Sequence, residues 1–150
     1  IAAANTGKIV TVKKGQFLSY TDTNNICRKV AETGNVQSVI IERGTSFGYG
    51  NLIVDMRGFE HIKRCDTPII FDATHSVQHP GGQGQSSGGD RTMVEPLSMS
   101  AVAQSIAGVF LEVHDDPNNA PSDGPNALHL GDFSRLVEKL RDLDQFVKRD

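Results

Sequence analysis

The 150-residue sequence has little cysteine, no excess of positive charge and no long apolar run, and each scarcity removes a class of protein. Its two cysteines, Cys27 and Cys65, make no metal-binding spacing. They read as reduced thiols of a cytosolic protein, although counting alone leaves one disulfide between them open. A net charge of −3 supplies no basic face for nucleic acid. The cations are scattered or paired, as in Lys13-Lys14 and Lys63-Arg64, so an anionic ligand is expected to be small and locally held. No stretch approaches the roughly 18 apolar residues of a membrane span. No charged-then-apolar leader precedes the first strand. The expectation is a soluble, cytoplasmic protein with neither a nucleic-acid nor a membrane partner. A hydrophobic content of 37% and a charged content of 22% are lean but globular, enough for one domain with a real core.

Signals for antiparallel hairpins are absent too, and what is present alternates. Gly7 stops an opening helical stretch. The β-branched run Ile9 to Val12 then forms a strand ending at Lys13-Lys14-Gly15. Thr21 or Asp22 caps a helix to about Thr33, with Ile26, Cys27, Val30 and Ala31 on one face. A second strand, Val36 to Ile41, delivers Glu42 and Arg43, and a short helix spans roughly Asp55 to Arg64. Pro68 to Phe71 is the third strand and ends in Asp72, Thr74 and His75, before a Gly-rich loop to Arg91. A helix from Val94 to Ala107, stopped by Gly108, leads to a fourth strand, Val109 to Leu111, and then to Glu112, Val113 and His114. The last helix runs from near Asp132 to Lys148 on a stripe of Phe133, Leu136, Val137, Leu140, Leu143 and Val147. Four strand-helix units with apolar strands mean a parallel α/β sheet. Every chemically interesting group lies at a strand's carboxyl end, as in a (β/α)₈ barrel, which needs about 250 residues. Four units are half of eight.

The strand-end residues suggest a chemistry, and each has a blander role beside it. Lys14 and Arg43 end adjacent strands and suit a phosphate or carboxylate clamp; they also suit two surface cations. His75, Glu112 and Asp123 offer one nitrogen and two oxygen donors, fitting zinc, iron or manganese, with His114 a competing ligand. Asp123-Gly124-Pro125 is equally a turn, Asp55 a helix cap, and Asp72 a partner that orients His75 or a lysine. PGGQGQSSGG matches no phosphate-loop fingerprint and reads as a lid, with Ser86 and Ser87 able to meet a phosphate.

Taken together, KKGQF, ERGTSFGYGNLIVDMR, FDATHSVQ, SGG, EVHDDP and SDGP resemble the 3-deoxy-D-manno-octulosonate 8-phosphate synthase family, in order along essentially the whole chain. The resemblance implies a cytoplasmic homotetramer of (β/α)₈ barrels, with residues 1–150 forming one partial barrel domain, strands five to eight of the C-terminal half. It implies a carbon–carbon bond-forming transferase that condenses phosphoenolpyruvate with D-arabinose 5-phosphate and water, in the biosynthesis of the lipopolysaccharide sugar. Lys14 and Arg43 match phosphoenolpyruvate-binding cations, Ser87 a lid serine near the pentose phosphate, and His75, Glu112 and Asp123 three ligands of a divalent metal. His75 and Asp123 are thereby implied in catalysis. The fourth ligand of the metal-dependent branch is a first-strand cysteine, matched by neither Cys27 nor Cys65. Ser122 and the HSVQHPGG form of the loop look like that branch. The alternatives are the sibling 3-deoxy-D-arabino-heptulosonate 7-phosphate synthase, or a non-catalytic half-barrel needing a complementing chain. The chain alone is expected to be inactive.

Overall fold

A computed structural model describes residues 1–47, 50–81 and 88–149. Four parallel strands, β1 (Val10–Lys13), β2 (Ser38–Glu42), β5 (Ile69–Asp72) and β8 (Gly108–Phe110), form one sheet in the order β1-β2-β5-β8. Helices α1 (Thr23–Ala31), α2 (Arg57–Lys63) and α3 (Val94–Val102) make the crossovers, and α4 (Leu130–Val147) closes the chain. Short pairs decorate the carboxyl ends: β3 (Thr45–Ser46) with β4 (Leu52–Ile53), β6 (Gln78–His79) with β7 (Gly88–Gly89), and β9 (Val113–His114) with β10 (Leu128–His129). The chain is thus a parallel β/α fold whose four-stranded sheet is consistent with part of a TIM-barrel-like domain.

The register assigns every strand residue to a face. Val12, Ile40 and Ile69 lie side by side, as do Glu42, Phe71 and Val109. On the other face Lys13, Ile41, Ile70 and Gly108 align, and Asp72 lies beside Phe110. Within this sheet the hydrophobic core cluster draws on the first face, Ile40, Ile69 and Phe71, with Val12 and Val109 against it, while Ile41 on the other face is buried outside that cluster. There they meet Phe59 and Ile62 of α2, Val94 and Ala101 of α3, and Leu136 and Leu140 of α4. The Phe59 and Phe71 rings pack edge to face with centroids 6.0 Å apart. Helices on one face only, with no reversal of strand order, are the arrangement of a barrel wall; a doubly wound sheet covers both faces and reverses.

The termini of the elements differ from expectation in instructive ways. Gly7 does stop the first turn, with φ +69°. The cap ahead of α1 sits earlier than Thr21 or Asp22: Ser19 and Asp22 form a reciprocal capping box around a 3₁₀ turn, Tyr20–Asp22, that feeds the helix. The helix expected to reach Ala107 ends at Val102, because Ser105 takes the left-handed conformation, and Gly108 opens β8 instead of stopping a helix. α4 begins before Asp132, at Leu130, because the His129 Nδ1 accepts a hydrogen bond from the Gly131 N–H at 3.1 Å. The expectation of no antiparallel pairing is also overturned, by β3–β4 and β6–β7. Both are two-residue ladders within long loops, too short to leave an alternating pattern.

Candidate active site

The strand ends bring His75, Glu112 and Asp123 together. One donor atom from each lies within 4.8 Å of the other two, and all three residues are half-buried. β5 delivers Asp72, fully buried, and the chain turns at once into a 3₁₀ turn, His75–Val77. Asp72 Oδ1 and Oδ2 each lie 2.9 Å from His75 Nδ1, and Oδ1 also accepts from the His75 N–H at 3.0 Å. The ring is thereby fixed with Nε2 outward, 3.1 Å from Glu112 Oε2. The Thr74 hydroxyl accepts from the Glu112 N–H at 3.1 Å, tying the end of β5 to the segment after β8. Asp123 adopts φ +55° in a turn that accepts from the N–H groups of Asn126 and Ala127. It is both the turn its composition favours and a donor in the cluster.

Cations surround this group. Lys13 Nζ lies 2.6 Å from Asp72 Oδ2 and 4.6 Å from the centre of the Phe110 ring, a salt bridge with a cation–π contact. Arg43 donates to the His75 carbonyl at 3.1 Å and to Gln78 Oε1 at 2.6 Å, and Gln78 Nε2 donates to Asp123 Oδ1. Burial lowers the pKa of the Arg43 guanidinium, against the opposing pull of Asp72, Asp123 and Glu42. Burial also pushes the Asp72 carboxyl up, but the hydrogen bonds from His75 and Lys13 outweigh it and hold the group below its usual value.

Lys14 is not among these groups. Period-two alternation puts it with Val10 and Val12 on the helix side, where it is 1% exposed and its ammonium faces Leu18 O, Gly44 O and Thr45 Oγ1. The cation on the site's face is its neighbour Lys13, and the signal was readable in the alternation of Thr11 and Lys13 against Val10 and Val12. Gln78, the link between Arg43 and Asp123, carried no signal of its own. His114 stands apart, its Nδ1 accepting from the Asp116 N–H at 3.0 Å, a donor that also meets Asp115 Oδ1 at 3.0 Å. Asp55 holds Arg57 through its N–H and guanidinium, as a local cap. Both cysteines are free thiols. Ser87 and most of the expected lid lie outside the described residues. A cavity of about 700 Å³ lined by Ile9, Cys27, Val36 and Pro68 lies at the strands' amino ends and contains none of these groups.

The donor set fits a divalent metal. A histidine whose Nδ1 is held by a carboxylate, with Nε2 turned toward the other donors, is the usual way imidazole is oriented toward an ion. One nitrogen and two carboxylates suit zinc, iron or manganese, and three protein ligands leave a coordination position for water or substrate.

Strand-end cations beside a candidate metal cluster, on the carboxyl side of a four-stranded parallel sheet, are consistent with part of a TIM-barrel-like β/α domain that carries a site at its strand ends. It belongs to the DAHP synthetase I family, whose profile matches residues 1–149. Among curated proteins it is 52% identical over 149 residues to a 2-dehydro-3-deoxyphosphooctonate aldolase of Bartonella henselae, covering 99% of this chain and 53% of that protein. It is 53% identical over 148 residues to the protein of the same name from Agrobacterium fabrum, and 54% identical over 148 residues to that from Trichlorobacter lovleyi. Each covers 99% of this chain, and 52% and 54% of the respective relative. The chain thus spans about half the length of the curated relatives it matches.

Proposed function

We propose that this chain forms strands five to eight, the C-terminal half, of a (β/α)₈ barrel that condenses phosphoenolpyruvate with D-arabinose 5-phosphate and water. The products are 3-deoxy-D-manno-octulosonate 8-phosphate and phosphate. The observation that carries the reading is the convergence of His75, Glu112 and Asp123, ringed by Lys13 and Arg43, in a chain more than half identical to proteins named for that product. The setting is cytoplasmic lipopolysaccharide-sugar synthesis by a homotetramer. Among the described residues no helix is long and apolar enough to cross a membrane.

In the reaction, the enol carbon of phosphoenolpyruvate attacks the pentose aldehyde while water adds at C2, and the resulting hemiketal phosphate expels phosphate. Two anions must approach one another, so their charge has to be neutralised and their orientation held. Lys13 and Arg43 stand on the site's face and do this for phosphoenolpyruvate. Lys14, expected in that role, supports the loops instead. Asp72 orients His75, and Gln78 couples Arg43 to Asp123. Ser87 is assigned to the pentose phosphate on the resemblance alone. A divalent metal held by His75, Glu112 and Asp123 would supply Lewis-acid chemistry to an oxygen of water or aldehyde.

On the sheet face opposite the helices Lys13 and Phe110 are exposed, which favours a second reading of the isolated chain as an inactive half. Phosphate release with both substrates decides. Turnover is expected once a complementing half is present, with loss after chelation and in His75→Ala. Absence of turnover in the completed barrel would refute the reaction, and full activity after chelation would remove the metal from it.

A further inference from the structure

We infer that Lys14 and Glu42 are a buried positioning pair that sets the direction of the Arg43 guanidinium. The inference rests on the reading of Arg43 as an anion-binding group. The Lys14 ammonium donates to Leu18 O at 3.0 Å, Thr45 Oγ1 at 3.1 Å and Gly44 O at 3.2 Å, with Gly15 O at 3.4 Å and Glu42 Oε1 at 3.5 Å. An ammonium has three protons, so none is left for a ligand. Glu42 Oε1 accepts from the Gly44 N–H at 2.6 Å. Gly44 is therefore gripped at both ends, its N–H by the carboxylate and its carbonyl by the ammonium. Its φ of +85° is a conformation that glycine alone adopts cheaply.

Arg43 lies between Glu42 and Gly44 in the chain. Alternation sends its side chain through the sheet to the opposite face, where it meets the His75 carbonyl and Gln78. With Glu42 anchored on one side and Gly44 clamped on the other, the Arg43 backbone cannot rotate without breaking the pair. The same ammonium also reaches the loop after β1, through Leu18 O and Gly15 O, so the ends of the two strands that carry Lys13 and Arg43 are held in one spacing. A buried ion pair adds little net stability compared with apolar side chains of similar volume. Geometry is what this one supplies.

The test uses the completed barrel and three variants: Lys14→Met, Lys14→Met/Glu42→Leu, which leaves no unpaired charge, and Glu42→Gln, which keeps the oxygen that accepts from Gly44. Lys14→Met and the double variant are expected to raise KM for phosphoenolpyruvate about tenfold to a hundredfold, with KM for the pentose phosphate unchanged. In an Arg43→Ala background Lys14→Met should add less than about twofold, because residues acting through one another are not additive. A lowered thermal midpoint with both KM values unchanged would overturn the inference, as would an effect that multiplies independently with Arg43→Ala. Should Lys14→Met not fold, Glu42→Gln carries the same cycle with a smaller rise expected, and unchanged KM values overturn the inference there too. The Arg43 Nε–H, buried and without a partner among the described residues, gives a readout that needs no substrate. Its exchange with solvent, followed by NMR, should accelerate at least about tenfold when the pair is removed, and an unchanged rate would again overturn the pairing. Absence of turnover in the unsubstituted barrel, with Nε–H exchange still responding to Lys14, would refute the proposed reaction and leave the positioning role standing.

Discussion

Asp72 shows how much one side chain can decide. Fully buried, it is kept charged by Lys13 and by His75, and it holds the imidazole in a single orientation. Asp72→Asn keeps the size and one acceptor but frees the ring. Divalent-ion affinity, measured by calorimetry with zinc or manganese, should fall about tenfold to a hundredfold; an unchanged affinity would mean that His75 is held by other contacts. Glu42 behaves oppositely with pH. Burial raises its pKa, more than Lys14 and the Gly44 N–H lower it, so folding moves the ionisation of this carboxyl to higher pH than in the unfolded chain. Its contribution to stability is therefore full below the unfolded value of about 4.3 and is lost as pH rises through the higher folded value. Glu42→Gln removes that loss. The thermal midpoint of the variant relative to the unsubstituted chain should climb with pH across that window, and a difference that is flat or falls would contradict the sign.

At the scale of elements, the strands and helices were legible because their apolar residues repeat at periods of two and 3.6. Val10 and Val12 of β1, or Leu136 and Leu140 of α4, announce both the element and its buried face. Their ends were less legible, because Ser105 with its positive φ and the Ser19–Asp22 box depend on local geometry that periodicity does not encode. The site divides the same way. His75, Glu112 and Asp123 could be named from their positions after strands, whereas Lys13 required choosing a face and Gln78 required a turn whose direction only the fold supplies. The turn that carries Asp123 gives the element-scale prediction. A Cβ at Gly124 would collide with the Pro117 carbonyl oxygen, which is backbone and cannot swing aside. Gly124→Ala should cost about 1–3 kcal/mol by chemical denaturation, as overpacking does. It should also displace Asp123, weakening divalent-ion binding by more than the stability loss alone explains. Wild-type stability and affinity in this variant would show that the turn yields elsewhere.

For the whole molecule the telling quantity is surface. The chain of 16.2 kDa exposes 8694 Å², against about 7,500 Å² for a compact monomer of that mass, an excess of roughly 1,200 Å². Part of that excess has a visible source. β1 and β8 each pair on one side only among the described residues, and the sheet face opposite the helices leaves Phe110 40% exposed. An edge strand with unpaired N–H and C=O groups beside apolar side chains is a template for another chain. The 150-residue chain studied alone should therefore self-associate or bind an extrinsic apolar dye. A complementing half should abolish the dye signal and yield a discrete complex in sedimentation velocity. A stable monomer with no dye binding would show that the open face is self-sufficient, and the half-barrel reading would fall with it.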